Sequence, residues 1–124
     1  MGQLSELRIK ETAKSPFVYC DPATGNVTVK GVSILEDAIE FFVPLKDWLQ
    51  EYSGERKDGA VFNADLEYFN TSTSRIILQL FRLFLPAESN HSSRIIWTYD
   101  IEDWEMKEAG EEYKMLHTLL QNEK

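Results

Sequence analysis

The chain of 124 residues is poor in cysteine and in positive charge, and it has no long apolar run. Its single cysteine, Cys20, rules out a disulfide within the chain. With 13 basic and 21 acidic side chains the net charge is −8, which disfavours nucleic acid and anionic membranes as partners. The most apolar stretch, RIILQLFRLFLP, contains two arginines and is shorter than the roughly 20 residues of a membrane span. We therefore expect no nucleic-acid partner and no membrane insertion.

The first 15 residues have polar residues throughout, where a signal peptide would need an apolar core, which predicts a cytoplasmic protein. The hydrophobic share of 43% is enough for one real core. We expect a flexible segment over residues 1–15, one domain over residues 16–120, and a short tail over residues 121–124.

Sequence signatures of common enzymes are missing as well. The chain has no glycine-rich phosphate loop, no metal-spaced pair of Cys or His, and no Gly-x-Ser-x-Gly elbow. His91 falls in a serine-rich loop and His117 near the end of the last predicted helix, where surface or capping roles are favoured over catalysis. Cys20 is best interpreted as a small buried side chain. These absences predict a protein that is not an enzyme and uses no cofactor or metal.

Predicted strands and helices alternate along the middle of the chain. Two β-prone runs, Phe17–Cys20 and Val27–Lys30, flank turn-forming residues and predict a hairpin. A period of two over Phe62–Tyr68 predicts a strand with one dry face, RIIWTYD predicts another strand, and the residues after Asp103 predict a last amphipathic helix. The order β-β-α-β-α-β-α predicts an α/β fold, with a small mixed sheet and helices mainly on one face.

The first helix is predicted over residues 34–52, where apolar residues recur at alternating spacings of three and four. Ser33 and Glu36 have the spacing of a capping box at its start. Pro44 interrupts the pattern, because proline lacks a backbone donor. It should either kink the helix near Glu40 or mark the first turn of a second segment.

The stretch NTSTSRIILQLFRLF, residues 70–84, places an unusual number of polar caps before an apolar helix that should end before Pro86. Capping alone is worth on the order of 1 kcal/mol and needs one of Asn70, Thr71, Ser72 or Thr73. A phosphate added here would meet unpaired N–H groups and the positive end of the helix. The cluster is therefore a candidate phosphorylation switch.

The helix that follows is apolar around most of its circumference, and its polar residues Arg75, Gln79 and Arg82 form one narrow stripe. Such a helix is either packed between the sheet and neighbouring helices or exposes part of its apolar surface for docking. The first alternative is favoured.

Asp65 and Glu67 offer a different function. They lie two residues apart on one strand and could bind a cation or a phosphorylated small molecule with the neighbouring hydroxyls. A solvated sheet face explains them more simply, since no third ligand is evident.

At the hydroxyl cluster, YFNTSTSRIILQLF resembles the core of the SiaC family of bacterial regulatory phosphoproteins, formerly a domain of unknown function. The resemblance extends to PFVYCDPATGNVTVKG, PLKDWLQEY and EAGEEYKML. It implies a fold like the STAS domains of anti-sigma-factor antagonists, with a hydroxyl at a helix start phosphorylated. Two departures stand out: ILEDA follows Ser33 in place of the family's usual helix entry, and HTLLQNEK predicts a reduced or missing final strand.

The resemblance also implies partners. They are a Ser/Thr protein kinase of the SiaB type, a PP2C-type phosphatase, and a diguanylate cyclase that the unphosphorylated form activates, raising cyclic di-GMP and favouring biofilm. It selects Thr71 as the phosphoacceptor, with Ser72 and Thr73 as flanking hydroxyls. An anti-sigma-factor antagonist with the same switch is the alternative. The expected partner-binding residues are Asn70, Thr71, Ser72, Thr73, Ser74 and Arg75.

Overall fold

The structure is a computed structural model that describes residues 5–52, 59–85, 93–116 and 120–123. Strands and helices alternate along most of it, as the hydrophobic periodicity predicts. Numbered in chain order, the elements are β1 (Leu7–Ile9), β2 (Phe17–Cys20), β3 (Val27–Ser33), α1 (Ala38–Phe41), α2 (Val43–Tyr52), β4 (Val61–Phe69), α3 (Thr71–Phe84), β5 (Arg94–Thr98), α4 (Trp104–Leu116) and β6 (Leu120–Glu123).

The six strands of the described residues form one mixed sheet in the order β1-β2-β3-β4-β5-β6. The β2–β3 pair is antiparallel, which confirms the predicted hairpin. The β3–β4, β4–β5 and β5–β6 pairs are parallel, because a helical crossover joins each pair. Alternate strand residues such as Val29 and Ala64 are buried in one hydrophobic core, to which side chains of the helices also contribute. The helices therefore cover one face of the sheet, and the predicted α/β class is confirmed.

Both edges of the sheet differ from the sequence prediction. The segment predicted to be flexible contains β1, which pairs with β2 and places Leu7 opposite Cys20. Trp48 Nε1 also donates to Ser5 O at 2.6 Å, which ties this segment to α2. At the other edge, β6 occupies most of the predicted tail and pairs with β5. Both strands are short, so their own residues carry little periodicity and the neighbouring strand determines their conformation.

The predicted capping box at Ser33 is wrong. Ser33 is the last residue of β3 and pairs with Phe69 of β4. The helix begins later, where Asp37 Oδ1 accepts from Glu40 N at 3.1 Å. Strand pairing with β4 outweighs the local capping preference of Ser33, because each added sheet residue gains backbone hydrogen bonds and side-chain burial.

The helical segment predicted over residues 34–52 is divided in two. α1 ends at Phe41, α2 begins at Val43, and Pro44 lies in the first turn of α2. Of the two outcomes predicted for Pro44, the structure shows the second. A proline fits there because the first turn of a helix leaves its N–H groups without intrahelical acceptors.

A register shift near the end of β4 alters the predicted dry face. Gly31 pairs with Leu66 but Val32 pairs with Tyr68, so Glu67 is an extra residue in β4. Gly31 has a φ of +119°, which a residue with a side chain rarely adopts. After the shift Tyr68 is 56% exposed, whereas the sequence pattern predicts that it is buried.

α3 is the central helix of the core. It packs against α1, α2 and β4, and Ile76, Leu80, Phe81 and Phe84 are almost fully buried. The Phe81 ring lies 5.7 Å from the Tyr113 ring of α4, centroid to centroid. This confirms that α3 is packed between the sheet and other helices. In the described part of the chain, no helix combines the length and apolar character that a membrane crossing requires.

Candidate functional site

The predicted site residues lie together where β4 passes into α3. Asn70 is the N-cap of α3, with an extended backbone, and its Oδ1 accepts from Thr73 N at 3.1 Å. Its Nδ2 donates to Leu35 O at 2.8 Å, in the segment before α1. Asn70 therefore both caps α3 and fixes the neighbouring loop against it.

Thr73 is fully buried. Its Oγ1 lies 2.6 Å from Ser33 Oγ at the end of β3, so one hydroxyl donates to the other. This contact gives the buried Ser33 hydroxyl a partner that burial would otherwise deny it. Its position makes Thr73 a structural residue that a kinase cannot reach in the folded protein.

Ser72 and Ser74 also have structural partners. Ser72 Oγ accepts from Ala38 N at 3.0 Å, so a hydroxyl of α3 caps the first residue of α1. Ser74 Oγ donates to Thr71 O at 2.8 Å, within the first turn of its own helix. The Ser72 hydroxyl therefore joins α3 to α1, and the Ser74 hydroxyl is bonded within the first turn of α3.

Thr71 differs from its neighbours. It is the first residue of α3, its side chain is exposed, and its hydroxyl makes no hydrogen bond within the described ranges. A phosphoryl group on this oxygen would break no hydrogen bond described above and would lie at the positive end of the helix dipole. Arg75, one turn later, is exposed and has no ion pair in the same described part of the chain.

Two surface depressions, of about 160 and 280 Å³, adjoin this helix start. They share Phe69 and Ala109, so we treat them as one feature, the α3–α4 groove. The first depression lies between the end of β4 and the start of α4, and is lined by Glu67, Tyr68, Phe69, Asp103, Glu105, Met106 and Ala109. The second lies between α3 and α4, and is lined by Phe69, Ser74, Arg75, Leu78, Ala109, Glu112 and Tyr113.

Sequence reasoning identified Ser74 and Arg75 but missed the α4 side of this groove. The missing signal is partly present in the sequence: Thr71, Ser74, Arg75 and Leu78 have the spacing of one helix face. Which residues face that row could not be read from the sequence, because the packing of α4 against α3 is a long-range contact.

The structure does not bring the alternative cation site together. Among the residues it describes, no three His, Cys, Asp or Glu side chains gather as potential metal ligands. Asp65 is half-buried on the sheet, whereas Glu67 is exposed and lines the α3–α4 groove. His91 and His117 lie outside the described residues.

The pKa values of Cys20 and Tyr113 are strongly raised. Burial raises the pKa of the Cys20 thiol to about 12, and it raises the pKa of the Tyr113 hydroxyl as well. Both groups stay protonated near neutral pH. Tyr113 OH donates to Ser74 O at 2.8 Å, which joins α4 to the first turn of α3. Neither group is therefore poised as a nucleophile or base.

Comparison with protein families matches residues 9–123 to the SiaC family regulatory phosphoprotein. The chain belongs to the SiaC family. This confirms the resemblance drawn from YFNTSTSRIILQLF, and it makes the protein a regulator, not an enzyme.

Relatives of this SiaC-family chain come from Pseudomonas aeruginosa. An uncharacterized protein of strain UCBPP-PA14 is 25% identical over 114 residues, which cover 90% of this chain and 89% of the relative. The crystal structure of apo-SiaC has a TM-score of 0.86 at 22% identity, covering 97% of this chain and 99% of that one. A chain in the crystal structure of the diguanylate cyclase SiaD with its activator SiaC has a TM-score of 0.84 at 22% identity, covering 94% and 99%. At these identities the structural likeness establishes the fold.

Proposed function

We propose that this protein is switched by phosphorylation of Thr71 and binds a diguanylate cyclase in its unphosphorylated form. The observation that carries the proposal is the contrast among the clustered hydroxyls. Those of Ser72, Thr73 and Ser74 have structural partners, whereas the Thr71 hydroxyl is exposed and has none within the described ranges. Membership in a family of regulatory phosphoproteins supports a role for such a hydroxyl.

The partner is proposed from the relatives. SiaC from Pseudomonas aeruginosa has been crystallised as the activator of the diguanylate cyclase SiaD, and its fold matches this chain. The family resemblance further supports a SiaB-type kinase and a PP2C-type phosphatase as the enzymes that set the phosphorylation state. We place this exchange in the cytoplasm.

A phosphate on Thr71 would change the charge of the helix start. It carries about −1.5 to −2 charges at neutral pH, and residues four apart on a helix are neighbours, so the Arg75 guanidinium can pair with it. The Arg75 side chain would then be engaged in an ion pair with the phosphate, and the phosphate would add bulk beside Asn70 and Ser74. A partner that uses this face would lose both a cation and free surface.

The first experiment locates the modification. The purified chain is incubated with its cognate kinase, Mg²⁺ and ATP, and digested peptides are analysed by mass spectrometry. We expect one phosphate on Thr71, lost in Thr71→Ala and retained in the matched Ser72→Ala variant. Modification confined to positions outside Asn70–Ser74 would contradict the proposal.

The second experiment tests the consequence for binding. Thr71→Ala should bind and activate the cyclase as the wild type does, whereas Thr71→Glu, which adds a negative charge, should bind at least about tenfold more weakly. Pull-down of both variants from cells also tests the alternative partner, an anti-sigma factor. If both variants bind like the wild type, Thr71 is a helix residue without a switching role.

A further inference from the structure

The α3–α4 groove has an apolar floor that is already formed. Met106 and Tyr113 are at most 7% exposed, and the ring of Phe69 lies 5.9 Å from that of Trp97, centroid to centroid. The hydrogen bond from Tyr113 OH to Ser74 O holds its two helices together. A segment that binds in this groove would therefore contact a largely rigid surface. Little binding free energy would be spent on ordering the groove itself.

The size of the groove favours side chains over a whole cofactor. It is divided into two depressions that share only Phe69 and Ala109, and each of them, at about 160 and 280 Å³, is smaller than the roughly 300–1,000 Å³ typical of small-molecule sites. Tyr68 lines the first depression and is 56% exposed, although its ring is large and apolar. An exposed aromatic next to a shallow apolar groove is typical of a protein–protein contact.

The charge of the groove identifies the chemistry of its occupant. Four carboxylates line it, those of Glu67, Asp103, Glu105 and Glu112, against the single guanidinium of Arg75. Such a lining attracts a positively charged segment. It disfavours a second copy of this chain, whose net charge is −8.

The groove is also continuous with the proposed switch. Thr71, Ser74, Arg75 and Leu78 follow one another along one face of α3, at spacings of three, four and seven from Thr71. The last three of these line the groove, and Thr71 extends the same row at its open end.

We propose that the α3–α4 groove binds a basic amphipathic segment of the partner protein. Apolar side chains of that segment lie over Phe69 and Ala109, and its lysines or arginines face Glu67 and Glu105. This inference rests on the proposed function only in taking the partner to be the protein that Thr71 controls.

Site-specific photo-crosslinking in the source cells tests where the partner lies. The full-length chain carries p-benzoylphenylalanine in place of Tyr68, or, as a matched control, in place of Trp104. Trp104 is also exposed, at 69%, but lines neither depression of the groove. We expect a crosslink from position 68 to a partner peptide that is rich in Lys or Arg and in apolar residues, and none from position 104.

Other crosslinks would overturn the inference. One is a crosslink from position 68 to an acidic peptide, and another is a crosslink to a second copy of this chain. A crosslinking yield from position 68 no higher than that from position 104 would also overturn it.

Binding measurements with the captured partner provide a second test. Ala109→Leu, which fills the groove, should weaken binding at least about tenfold, and Lys114→Leu, at an exposed position of α4 that lines neither depression, should not.

The charge contribution is tested separately. Glu67→Lys combined with Glu105→Lys should weaken binding about fivefold or more at low salt, with a smaller effect at high salt. The control, Glu51→Lys on α2, leaves binding unchanged. Tighter binding by the Glu67 and Glu105 double variant would show an acidic occupant and overturn the proposal.

The outcomes distinguish this inference from the proposed function. Suppose that position 68 captures a basic segment of a protein other than a cyclase, and that Thr71→Glu does not change its binding. This result supports the proposed docking groove and contradicts the proposed phosphorylation switch. Conversely, a cyclase whose binding Thr71→Glu abolishes, but which crosslinks only outside the groove, supports the switch and contradicts the groove.

Discussion

The hydroxyl of Ser33, at the end of β3, lies 2.6 Å from the hydroxyl of Thr73 in the first turn of α3, and both residues are fully buried. Thr73 Oγ1 also lies 3.3 Å from Ser33 O. The two residues are 40 positions apart in sequence, so their contact fixes the start of α3 against the sheet. The exposed Thr71 therefore lies in the first turn of α3, and contacts with the core fix the position of that turn.

Removing this contact should destabilise the fold. Thr73→Val keeps the side-chain shape but leaves the buried Ser33 hydroxyl without its partner, which should lower the free energy of unfolding by about 1–3 kcal/mol. Urea unfolding measures the loss. Thr71→Val is the matched control and should change it by no more than about 0.5 kcal/mol. Equal losses in the two variants would show that the buried pair contributes nothing special.

Loss of the cap at Asn70 should also be costly. Asn70→Ala removes the acceptor for Thr73 N and the donor to Leu35 O, and we expect a loss of about 1–2 kcal/mol in the free energy of unfolding. Asp37→Ala is the comparison, because Asp37 is exposed and caps only the four-residue α1. A thermal melt that ranks the Asp37 variant as the less stable would contradict this assignment.

Gly110→Ala should destabilise α4, although alanine usually stabilises a helix by about 1 kcal/mol relative to glycine. A Cβ at Gly110 would lie 2.7 Å from Trp97 Nε1, and Trp97 is almost fully buried. We expect a net loss of about 1–3 kcal/mol and altered tryptophan fluorescence. Lys114→Ala, at an exposed position of the same helix, should be nearly neutral. A stabilising effect at Gly110 would show that Trp97 can move away without cost.

The stability of the protein should fall at alkaline pH because of Cys20. Burial raises the pKa of its thiol from 9.0 to about 12, so above pH 9 the unfolded chain loses this proton while the folded chain retains it. The contribution is complete below pH 9 and is lost as the pH rises toward 12, with a slope of up to about 1.4 kcal/mol per pH unit.

Urea unfolding at pH 7.5, 9 and 10 measures this slope. Tyr113, whose pKa is also raised by burial, contributes to the slope near pH 10 in both proteins, so the Cys20→Ala variant should show a flatter profile than the wild type but still some decline. The wild-type thiol should also resist alkylation at neutral pH until the protein unfolds. Rapid alkylation of the folded protein would contradict the burial of Cys20.

Local patterns predicted several parts of the fold well. The hairpin of β2 and β3 follows from β-prone runs around turn residues, and α3 follows from a polar cap before an apolar helix. The hydroxyl cluster located the candidate switch, and the family resemblance selected Thr71 within it. For the hairpin, for α3 and for the hydroxyl cluster, the signal lies within about 15 consecutive residues.

Elements decided by distant partners were missed. β1 and β6 form because neighbouring strands offer backbone hydrogen bonds, and Ser33 ends a strand instead of capping a helix because β4 pairs with it. The outward position of Tyr68 follows from the register shift at Gly31, which alternation in β4 alone cannot show.

The sequence by itself determined the α/β class, the acidic surface and the cluster of hydroxyls before an apolar helix. The tertiary structure supplied the physical difference among these hydroxyls, since Ser72 and Thr73 are paired with groups 34 and 40 residues away and Thr71 is left exposed. It also brought α4 beside α3 to form the groove. The physical reason is that local propensity sets which segments become helices or strands, whereas burial and long-range hydrogen bonding decide which of their side chains remain free to act.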